Sequence, residues 1–222
     1  MKPVVLLINP NTSRETTAMM HGIARRALPS AYALESETAA RGAPMITTVE
    51  ELAISVEEVR VIGQRRAAEV AAIVVGAYGD PGLEALRRSV SIPVFGIGEA
   101  SMREGAMGGR RFGIATTTPD LGPAIAAAVA RLGLADCFTG CRIPPGDPLA
   151  LAADPALQDA YLVQAVELSI RQDGAQAVVI GGGPLSESAE RIRDRFAVPV
   201  ISPIGAAMRM AAAALDAGAP PR

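Results

Sequence analysis

The sequence has no tryptophan and very little histidine, cysteine or aromatic side chain of any kind. Its 222 residues include one histidine, two cysteines, four phenylalanines and three tyrosines. The formal net charge is −2 and the basic residues are scattered along the chain, so there is neither a phosphate-binding patch nor a platform for stacking bases. We therefore expect no nucleic-acid partner. A single histidine also argues against a hydrolase triad.

Long apolar runs are missing as well. No stretch of about 18 uninterrupted apolar residues occurs, which argues against a membrane span. The first residues, MKPVVLLINPNTS, contain an apolar stretch that is too short for the core of a signal peptide. We therefore expect a cytoplasmic protein without a membrane partner.

The two cysteines, Cys137 and Cys141, lie four residues apart in CFTGC, and no second pair accompanies them. A four-ligand zinc site cannot be assembled from such a set, so we expect no metal. Reduced thiols that are at least partly buried are the favoured interpretation, and a redox pair is the alternative. The glycine motifs of nucleotide-binding loops, GxGxxG after the first strand and GxxxxGK[ST], are also absent.

What the sequence does contain is a series of short apolar runs separated by longer segments with helical spacing. Continuous apolar strands that alternate with helices indicate an α/β fold with a mainly parallel sheet covered on both faces. The predicted strands are 4–8, 72–75, 93–97, 112–115, 177–180 and 199–203, and the clearest predicted helices are 50–70, 83–88, 123–132 and 155–173.

The chain also resembles itself. SIPVFGIGEASMR (91–103) aligns without gaps on AVPVISPIGAAMR (197–209), 106 residues further on. Similar correspondences link 2–13 with 110–121 and 74–82 with 179–187. Such internal similarity predicts two pseudo-symmetric α/β halves, residues 1–107 and 108–222, with the possibility that the C-terminal segment packs back on the first half.

Ligands in α/β proteins bind beyond the carboxyl ends of the strands, and crevices between similar halves are favoured pockets. We therefore expect four strand-end loops to meet at one cleft: NPNTS, GAYGDPG, TTTPD and GGGP. The first and third loops carry amide and hydroxyl groups at helix starts, which suit a carboxylate or a planar amide; helix capping alone is the alternative. The binding residues predicted from these two loops are Asn9, Asn11, Thr12, Ser13, Thr116, Thr117 and Thr118.

The two glycine-rich loops offer backbone N–H groups. Gly182 and Gly183 in GGGP are predicted to form an oxyanion hole or carboxylate clamp, and a tight turn that needs glycine is an equally weighted alternative. In GAYGDPG the ligand-facing backbone is assigned to Gly76–Gly79, which includes Ala77. Asp80 is interpreted as the cap of a helix that starts at Pro81, with catalytic base as the minority alternative.

Several motifs together resemble the aspartate/glutamate/hydantoin racemase superfamily, above all its hydantoin and allantoin racemase branch. They are INPNTS (8–13), RGAPMI (41–46), GDPGLEALR (79–87), IPVFGIGEA (92–100), FGIATTT (112–118) and VPVISPI (198–204), which span nearly the whole chain. The resemblance implies a two-lobed, cofactor-free enzyme with its site between the lobes, and it favours a homo-oligomer. In these racemases two cysteines face each other and exchange a proton at a carbon next to a carbonyl.

This sequence departs from that pattern at both cysteine positions. Ala77 occupies the first position and Gly182 the second, so the two-thiol mechanism is not available. The nearest side chains that could transfer a proton instead are Tyr78, Ser186 and Asp80. General acid–base help is worth about 10²–10⁴-fold per group, so the loss is substantial.

The resulting hypothesis is a cofactor-independent racemase or isomerase that acts at an acidic carbon next to a carbonyl, on a hydantoin-like ring or an amino acid derivative. A decarboxylase or other lyase of the same superfamily is one alternative, because loss of CO₂ generates a carbanion without an abstracting base. A non-catalytic binder of a small carboxylate is another. Removal of both thiols by engineering is a third, which the smooth GGGP motif disfavours.

Overall fold

The computed structural model describes residues 2–218 of the chain. The first half is built from four strands and four helices in alternating order. These are β1 (Val4–Asn9), α1 (Arg14–Ala27), β2 (Ala33–Thr38), α2 (Val49–Arg66), β3 (Ala72–Val75), α3 (Leu83–Ser89), β4 (Val94–Gly96) and α4 (Ile97–Gly105).

The second half repeats this order with one additional helix. Its elements are β5 (Phe112–Ala115), α5 (Gly122–Arg131), β6 (Phe138–Arg142), α6 (Pro148–Ala153), α7 (Pro155–Arg171), β7 (Ala177–Ile180), α8 (Ser186–Ile192), β8 (Val200–Ile201) and α9 (Pro203–Asp216). Short 3-10 helices also occur, one at the boundary between the halves (Met107–Gly109) and others in the second half, among them Pro119–Leu121 before α5.

Each half contains one four-stranded parallel sheet, and the strand order is the same in both. The first sheet runs β2-β1-β3-β4 and the second β6-β5-β7-β8. Every described pairing is parallel, including Val5 with Ala72 in the first sheet and Phe112 with Ala177 in the second. The predicted α/β class with two pseudo-symmetric halves is confirmed, because the two sheets share one topology.

Two strands, β2 and β6, were not among the predicted ones. Both lie at an edge of their sheet, and all or nearly all of their residues are only partly buried. ALESET and FTGCR therefore lack the continuous apolar run by which the central strands were recognised. An edge strand that is half exposed carries too weak an apolar pattern to be found in this way.

The core is continuous between the halves. One cluster of buried residues joins Leu7 and Val74 of the first sheet to Ile114 and Val179 of the second, and it includes Met208 of α9. Two smaller clusters lie on the outer faces of the two sheets. Within residues 2–218, no helix is long and apolar enough to cross a membrane.

The last helix, α9, packs on the first half of the chain, against α1 and α4. Its Arg209 binds Glu104 of α4 at 2.7 Å, and Asp216 at its end accepts a hydrogen bond from the Tyr32 hydroxyl. The shared core and α9 thus fix the position of one sheet relative to the other, so the loops at the carboxyl ends of their strands have fixed positions too.

Candidate functional site

All four predicted strand-end loops contribute to one cavity, which we refer to as the cleft. Residues from both halves of the chain line it, and they are Asn11, Met45, Ile46, Gly76, Ala77, Tyr78, Thr117, Thr118, Leu121, Ala152, Gln158, Gly181, Gly182, Gly183, Pro184 and Leu185. Asn11, Ala77, Tyr78, Thr117, Thr118, Gly182 and Gly183 are predicted site residues that this cavity brings together.

Asn9 and Asn11 form a hydrogen-bonded pair at the end of β1. The Asn9 Nδ2 donates to Asn11 Oδ1 at 2.8 Å, and the Asn11 backbone N–H donates to Asn9 Oδ1 at 3.2 Å. The Ser13 N–H also donates to Asn11 Oδ1 at 2.9 Å. The Asn11 Oδ1 already accepts two hydrogen bonds. The Asn11 Nδ2 has no hydrogen-bond partner in residues 2–218, so it is the group available to a ligand.

The other polar residues of NPNTS have structural tasks. Asn9 also donates to Thr17 Oγ1 at 2.9 Å, and the Ser13 hydroxyl caps α1 by accepting from the Thr16 N–H at 3.1 Å. The Thr12 N–H donates to the Ala43 carbonyl at 3.0 Å. Asn9, Thr12 and Ser13 do not line the cleft. Of this loop, Asn11 alone is placed to bind a ligand there, among the described residues.

Of the three threonines after β5, one has a structural role and two line the cleft. The Thr116 hydroxyl donates to the Gly181 carbonyl at 2.5 Å, and this bond joins the two strand-end loops of the second half. Thr116 does not line the cleft. Its neighbour Thr118 lies 3.1 Å away, oxygen to oxygen. The hydroxyl of Thr117 has no hydrogen-bond partner within residues 2–218. Thr117 and Thr118 therefore supply hydroxyl groups to the cleft.

Backbone N–H groups around the cleft are also free. Those of Ala77, Tyr78, Gly183, Thr117 and Thr118 donate no hydrogen bond to any part of the chain that the structure describes. Gly182 differs, because its N–H donates to the Ile180 carbonyl at 3.1 Å. Several unpaired donors around one cavity match the predicted carbonyl or anion site.

The glycines of GGGP are required for close approach of neighbouring groups and not for a positive φ. None of Gly181–Gly183 has a positive φ. A Cβ on Gly183 would lie 2.6 Å from the Gly76 carbonyl oxygen, and one on Gly181 would lie 2.9 Å from Ile114 Cγ2. At Gly182 the added Cβ would meet only the Leu185 side chain, at 3.0 Å. Gly182 is thus the member of this loop that has room for a side chain.

Asp80 caps a helix, but a different one from that predicted. Its carboxylate accepts the N–H groups of Gly98 at 2.8 Å and Glu99 at 2.7 Å, at the start of α4. The helix after Pro81 has Gly82 as its N-cap and no side-chain cap. Gly96 and Gly98 make room for the carboxylate, since a Cβ at either position would lie within 3 Å of it.

Asp80 is also the only non-glycine residue with a positive φ, 51°, in the described part of the chain. Burial raises the pKa of its carboxyl to about 7, although the N–H groups of Gly98 and Glu99 act to lower it. It does not line the cleft. The structure therefore gives Asp80 a capping position outside the cavity where chemistry would take place.

Ser186 is the counterpart of Asp80 in the second half. It lies 106 residues further on, and its Oγ accepts the N–H of Ile204, at the start of α9, at 3.3 Å. Ile204 likewise follows Gly98 by 106 residues. Ser186 is fully buried and does not line the cleft. The pseudo-symmetry thus pairs two caps, and the structure brings neither Asp80 nor Ser186 to the cleft as a proton carrier.

Tyr78 lines the cleft, but its hydroxyl group lies in the core, buried and without a hydrogen-bond partner in residues 2–218. Burial raises the pKa of Tyr78 far above its ordinary value, and the nearby Ser101 hydroxyl offsets this only in part. Among residues 2–218, Tyr78 is the one titratable side chain that lines the cleft. Its raised pKa keeps it protonated. Gly79, the remaining predicted binding residue, does not line the cleft.

The sequence prediction missed the residues that the loops before α2 and α5 and the helices α6 and α7 add to the cleft. Met45, Ile46, Leu121 and Ala152 make part of its wall apolar, and Gln158 of α7 adds an amide. Met45 and Ile46 belong to the RGAPMI motif, which was a usable signal. A glutamine on a helix surface gives no such signal.

Comparison with known proteins identifies the class. A family model described as Asp/Glu/Hydantoin racemase matches residues 5–211. The chain belongs to this family of racemase and isomerase enzymes, and the resemblance noted from its motifs is confirmed.

Several individual relatives are hydantoin or allantoin racemases. The hydantoin racemase of Rhizobium meliloti is 35% identical over 157 residues, which are 71% of this chain and 65% of that protein. The hydantoin racemase of Paenarthrobacter aurescens is 26% identical over 211 residues, 93% of this chain and 89% of that protein. The structure of allantoin racemase from Klebsiella pneumoniae has a TM-score of 0.93 at 27% identity and covers 99% of this chain and 90% of that chain.

Proposed function

We propose that the cleft binds a small carbonyl compound, a cyclic amide or a carboxylate, and promotes proton exchange at the acidic carbon next to its carbonyl. The observation that carries this proposal is the set of unpaired donors around the cavity: the Asn11 Nδ2 and the backbone N–H groups of Ala77, Tyr78 and Gly183. Donors held in place before the reaction stabilise negative charge on an enolate oxygen.

Among the described residues 2–218, none that lines the cleft has a side chain suited to remove the proton. Tyr78 remains protonated, and we assign Ala77 and Gly182 to the positions of the family's cysteines. Water or hydroxide from solvent then accepts the proton, and reprotonation from either face racemises the carbon. Such a reaction needs a substrate whose carbon is already acidic, as in a 5-substituted hydantoin. Its rate lacks the factor of about 10²–10⁴ that each positioned base or acid contributes.

The same lack of a base favours two further candidates. Decarboxylation of a malonate generates its own carbanion and needs only the donors. A non-catalytic binder of a small carboxylate or cyclic amide needs only the cavity. The three candidates use one site, and one set of measurements separates them.

The experiment follows exchange of the proton at C5 of 5-substituted hydantoins and allantoin in D₂O by NMR, with malonates in parallel tubes and thermal shift as the binding readout. Asn11→Asp is the informative variant, because it keeps the oxygen that Asn9 and Ser13 need and replaces the free donor with an acceptor. We expect wild-type exchange and at least about a tenfold loss in Asn11→Asp. Binding without exchange would identify a binder, and CO₂ release a lyase. A protein that shows no binding and no turnover of any of these compounds would refute the proposal.

Restoring the thiols tests the assignment of the cysteine positions. Both Ala77 and Gly182 line the cleft, and a side chain at 182 requires only a small shift of Leu185. We expect the double variant Ala77→Cys/Gly182→Cys to exchange the C5 proton at least about 10²-fold faster than wild type. A double variant that binds hydantoins and stays as slow as wild type would show that the two positions do not face the reacting carbon.

A further inference from the structure

Asp80 and Ser186 each close a turn that begins at a residue of the cleft. The backbone N–H of Asp80 donates to the Ala77 carbonyl at 3.1 Å, and that of Ser186 donates to the Gly183 carbonyl at 3.1 Å. Ala77 and Gly183 both line the cleft. The same offset of 106 residues relates the two donors and the two acceptors, so the turns 77–80 and 183–186 are counterparts.

A carbonyl that is fixed in a turn also fixes the N–H group that follows it. The described peptide bonds are all trans, and in a trans peptide the carbonyl and the next N–H point in opposite directions. Since the Ala77 carbonyl points into its turn, the Tyr78 N–H points out of it. Tyr78 lines the cleft, and this N–H donates to nothing in residues 2–218. The turn 77–80 therefore determines the direction of a free donor at the cleft.

The second half lacks the corresponding donor. The residue after Gly183 is Pro184, which lines the cleft and has no N–H. The turn 183–186 is closed by the same kind of bond but directs no donor out of its first peptide. The repeat thus contains its own control, because only one of the two turns can act on a ligand in this way.

The Asp80 side chain holds the first turn in place. Its carboxylate accepts the N–H groups of Gly98 at 2.8 Å and Glu99 at 2.7 Å, which joins residue 80 to the start of α4. Its φ of 51° lies in the left-handed region, which aspartate tolerates better than most residues do. Ser186 has no positive φ and accepts one N–H, that of Ile204, at 3.3 Å. The turn that directs the donor is therefore the more firmly held.

We infer that Asp80 is a positioning residue, which keeps the turn 77–80 closed and thereby directs the Tyr78 N–H to the carbonyl oxygen of the ligand. This inference rests on the proposed function of the cleft. Negative charge gathers on that oxygen when the neighbouring carbon loses its proton, and a donor that is already in place stabilises it most at that stage. Loss of the Asp80 carboxylate should consequently lower kcat more than it raises KM.

The first measurement follows the Tyr78 N–H itself. The chain has three tyrosines, so ¹⁵N-tyrosine labelling gives three backbone amide signals, and Tyr78→Phe identifies the signal of residue 78 by removing it. Spectra are recorded with and without a 5-substituted hydantoin, above the pKa of about 7 to which burial raises the Asp80 carboxyl. In wild type the Tyr78 amide proton should move downfield as it bonds to the ligand, and the amides of Tyr32 and Tyr161 should stay.

The second measurement is the rate of C5 proton exchange in D₂O for variants of Asp80. Asp80→Gly keeps the left-handed φ without strain and removes the carboxylate. We expect this variant to lose the downfield shift and about tenfold or more in kcat, with KM within about threefold of wild type. Asp80→Asn tolerates the same φ and keeps one acceptor, so it should recover most of the rate. It is also the second variant if Asp80→Gly does not fold.

Ser186→Ala is the matched control. It removes the cap of the second turn, which directs no N–H, so kcat should stay within about twofold of wild type and the Tyr78 shift should persist. Urea unfolding of each variant selects a temperature at which all of them are folded.

The remaining outcomes separate the inference from the proposed function. A wild-type hydantoin complex without a Tyr78 shift, or Asp80→Gly protein that keeps both the shift and the rate, would overturn the inference and leave the proposed function standing. Equal losses of rate in Asp80→Gly and Ser186→Ala would assign the effect to loosening of the fold and overturn it as well. If wild type binds hydantoin without exchange, the Tyr78 shift alone decides. Absence of any binding would remove the inference and the proposed function together.

Discussion

Gly183 lies where the two halves of the chain are in close contact. A Cβ at this position would be 2.6 Å from the Gly76 carbonyl oxygen and 3.0 Å from the Met20 sulfur, and the backbone oxygen has no rotamer to change. We expect Gly183→Ala to lower the free energy of unfolding by about 1–3 kcal/mol, as overpacking does. Gly182→Ala should cost less than about 1 kcal/mol, because Leu185 can move. Urea unfolding of both variants measures the difference, and equal costs would contradict the close contact.

Cys141 of β6 illustrates how burial controls a single thiol. Burial raises its pKa to about 12, so the thiolate fraction at pH 8 is about 10⁻⁴. In a Cys137→Ser variant, iodoacetamide should therefore modify the native protein at least about 10²-fold more slowly than a free thiol. The rate should keep rising with pH through pH 10. The urea-unfolded variant is the control and should react at the rate of a free thiol; native protein that matched it would rule out the burial argument.

At the scale of elements, Asp80 and Ser186 perform the same task for α4 and α9. Asp80 satisfies two N–H groups and tolerates a φ of 51°, whereas Ser186 satisfies one. We expect Asp80→Ala to destabilise the protein by about 1–3 kcal/mol and Ser186→Ala by about 0.5–1.5 kcal/mol. Asp194→Ala, at an exposed side chain, is the control and should change stability by less than about 0.5 kcal/mol. Thermal and urea unfolding check the order.

The raised pKa of Asp80 adds a pH dependence with a definite sign. In the folded protein the carboxyl titrates near pH 7, whereas in the unfolded chain it titrates near its ordinary value of 3.8. Between these values the folded state holds a proton that unfolding releases, so a rise in pH favours unfolding. The stability of wild type should therefore fall relative to that of Asp80→Asn from pH 4 to pH 7 and level off above. If the stability of wild type relative to Asp80→Asn stayed constant or grew over this pH range, the hydrogen bonds from Gly98 and Glu99 would be holding the Asp80 carboxyl ionised.

The central elements could be predicted because their own residues carry the signal. The strand segments 72–75, 112–115 and 177–180 were predicted with the observed bounds, since each is a continuous apolar run. The two edge strands were missed because partial exposure removes that run. The partner of Asp80 was missed for a different reason: local sequence favoured the adjacent helix, but packing places the start of α4, 18 residues away, over the carboxylate.

Dependence on tertiary packing also decides which residues of the cleft could be predicted from the sequence. Loops at strand ends were predicted to meet because parallel topology dictates it, and Asn11, Ala77 and Thr117 do line one cavity. Whether a polar side chain in such a loop faces a ligand or its own backbone depends on hydrogen bonds such as that between Asn9 and Asn11. Gln158 lies outside any strand-end loop, so only the tertiary packing of α7 shows its position.

At the scale of the whole molecule, the halves share a central core in addition to the smaller cluster on the outer face of each sheet. The central cluster joins Leu7 and Val74 to Ile114 and Val179, and α9 covers the first half with Ile204, Met208 and Ala211, which are fully buried. Internal repetition therefore does not make the halves independent. Apolar burial on both sides of the boundary near residue 107 links their stability.

This linkage predicts a single cooperative unfolding transition. In native-state hydrogen exchange, the amides of β3 and β7, the strands that precede the two glycine-rich loops, should open with the same free energy, close to that of global unfolding.

A chain that ends at residue 202 lacks α9, exposes the apolar faces of α1 and α4, and should lose the cooperative transition altogether. The charge reversal Arg209→Glu is the matched control, because the exposed ion pair with Glu104 contributes about 1 kcal/mol or less. It should retain one transition with a slightly lower midpoint. Persistent protection of β3 in the shortened chain would instead show that the first half folds alone, and the cleft between the halves would then be free to open without unfolding.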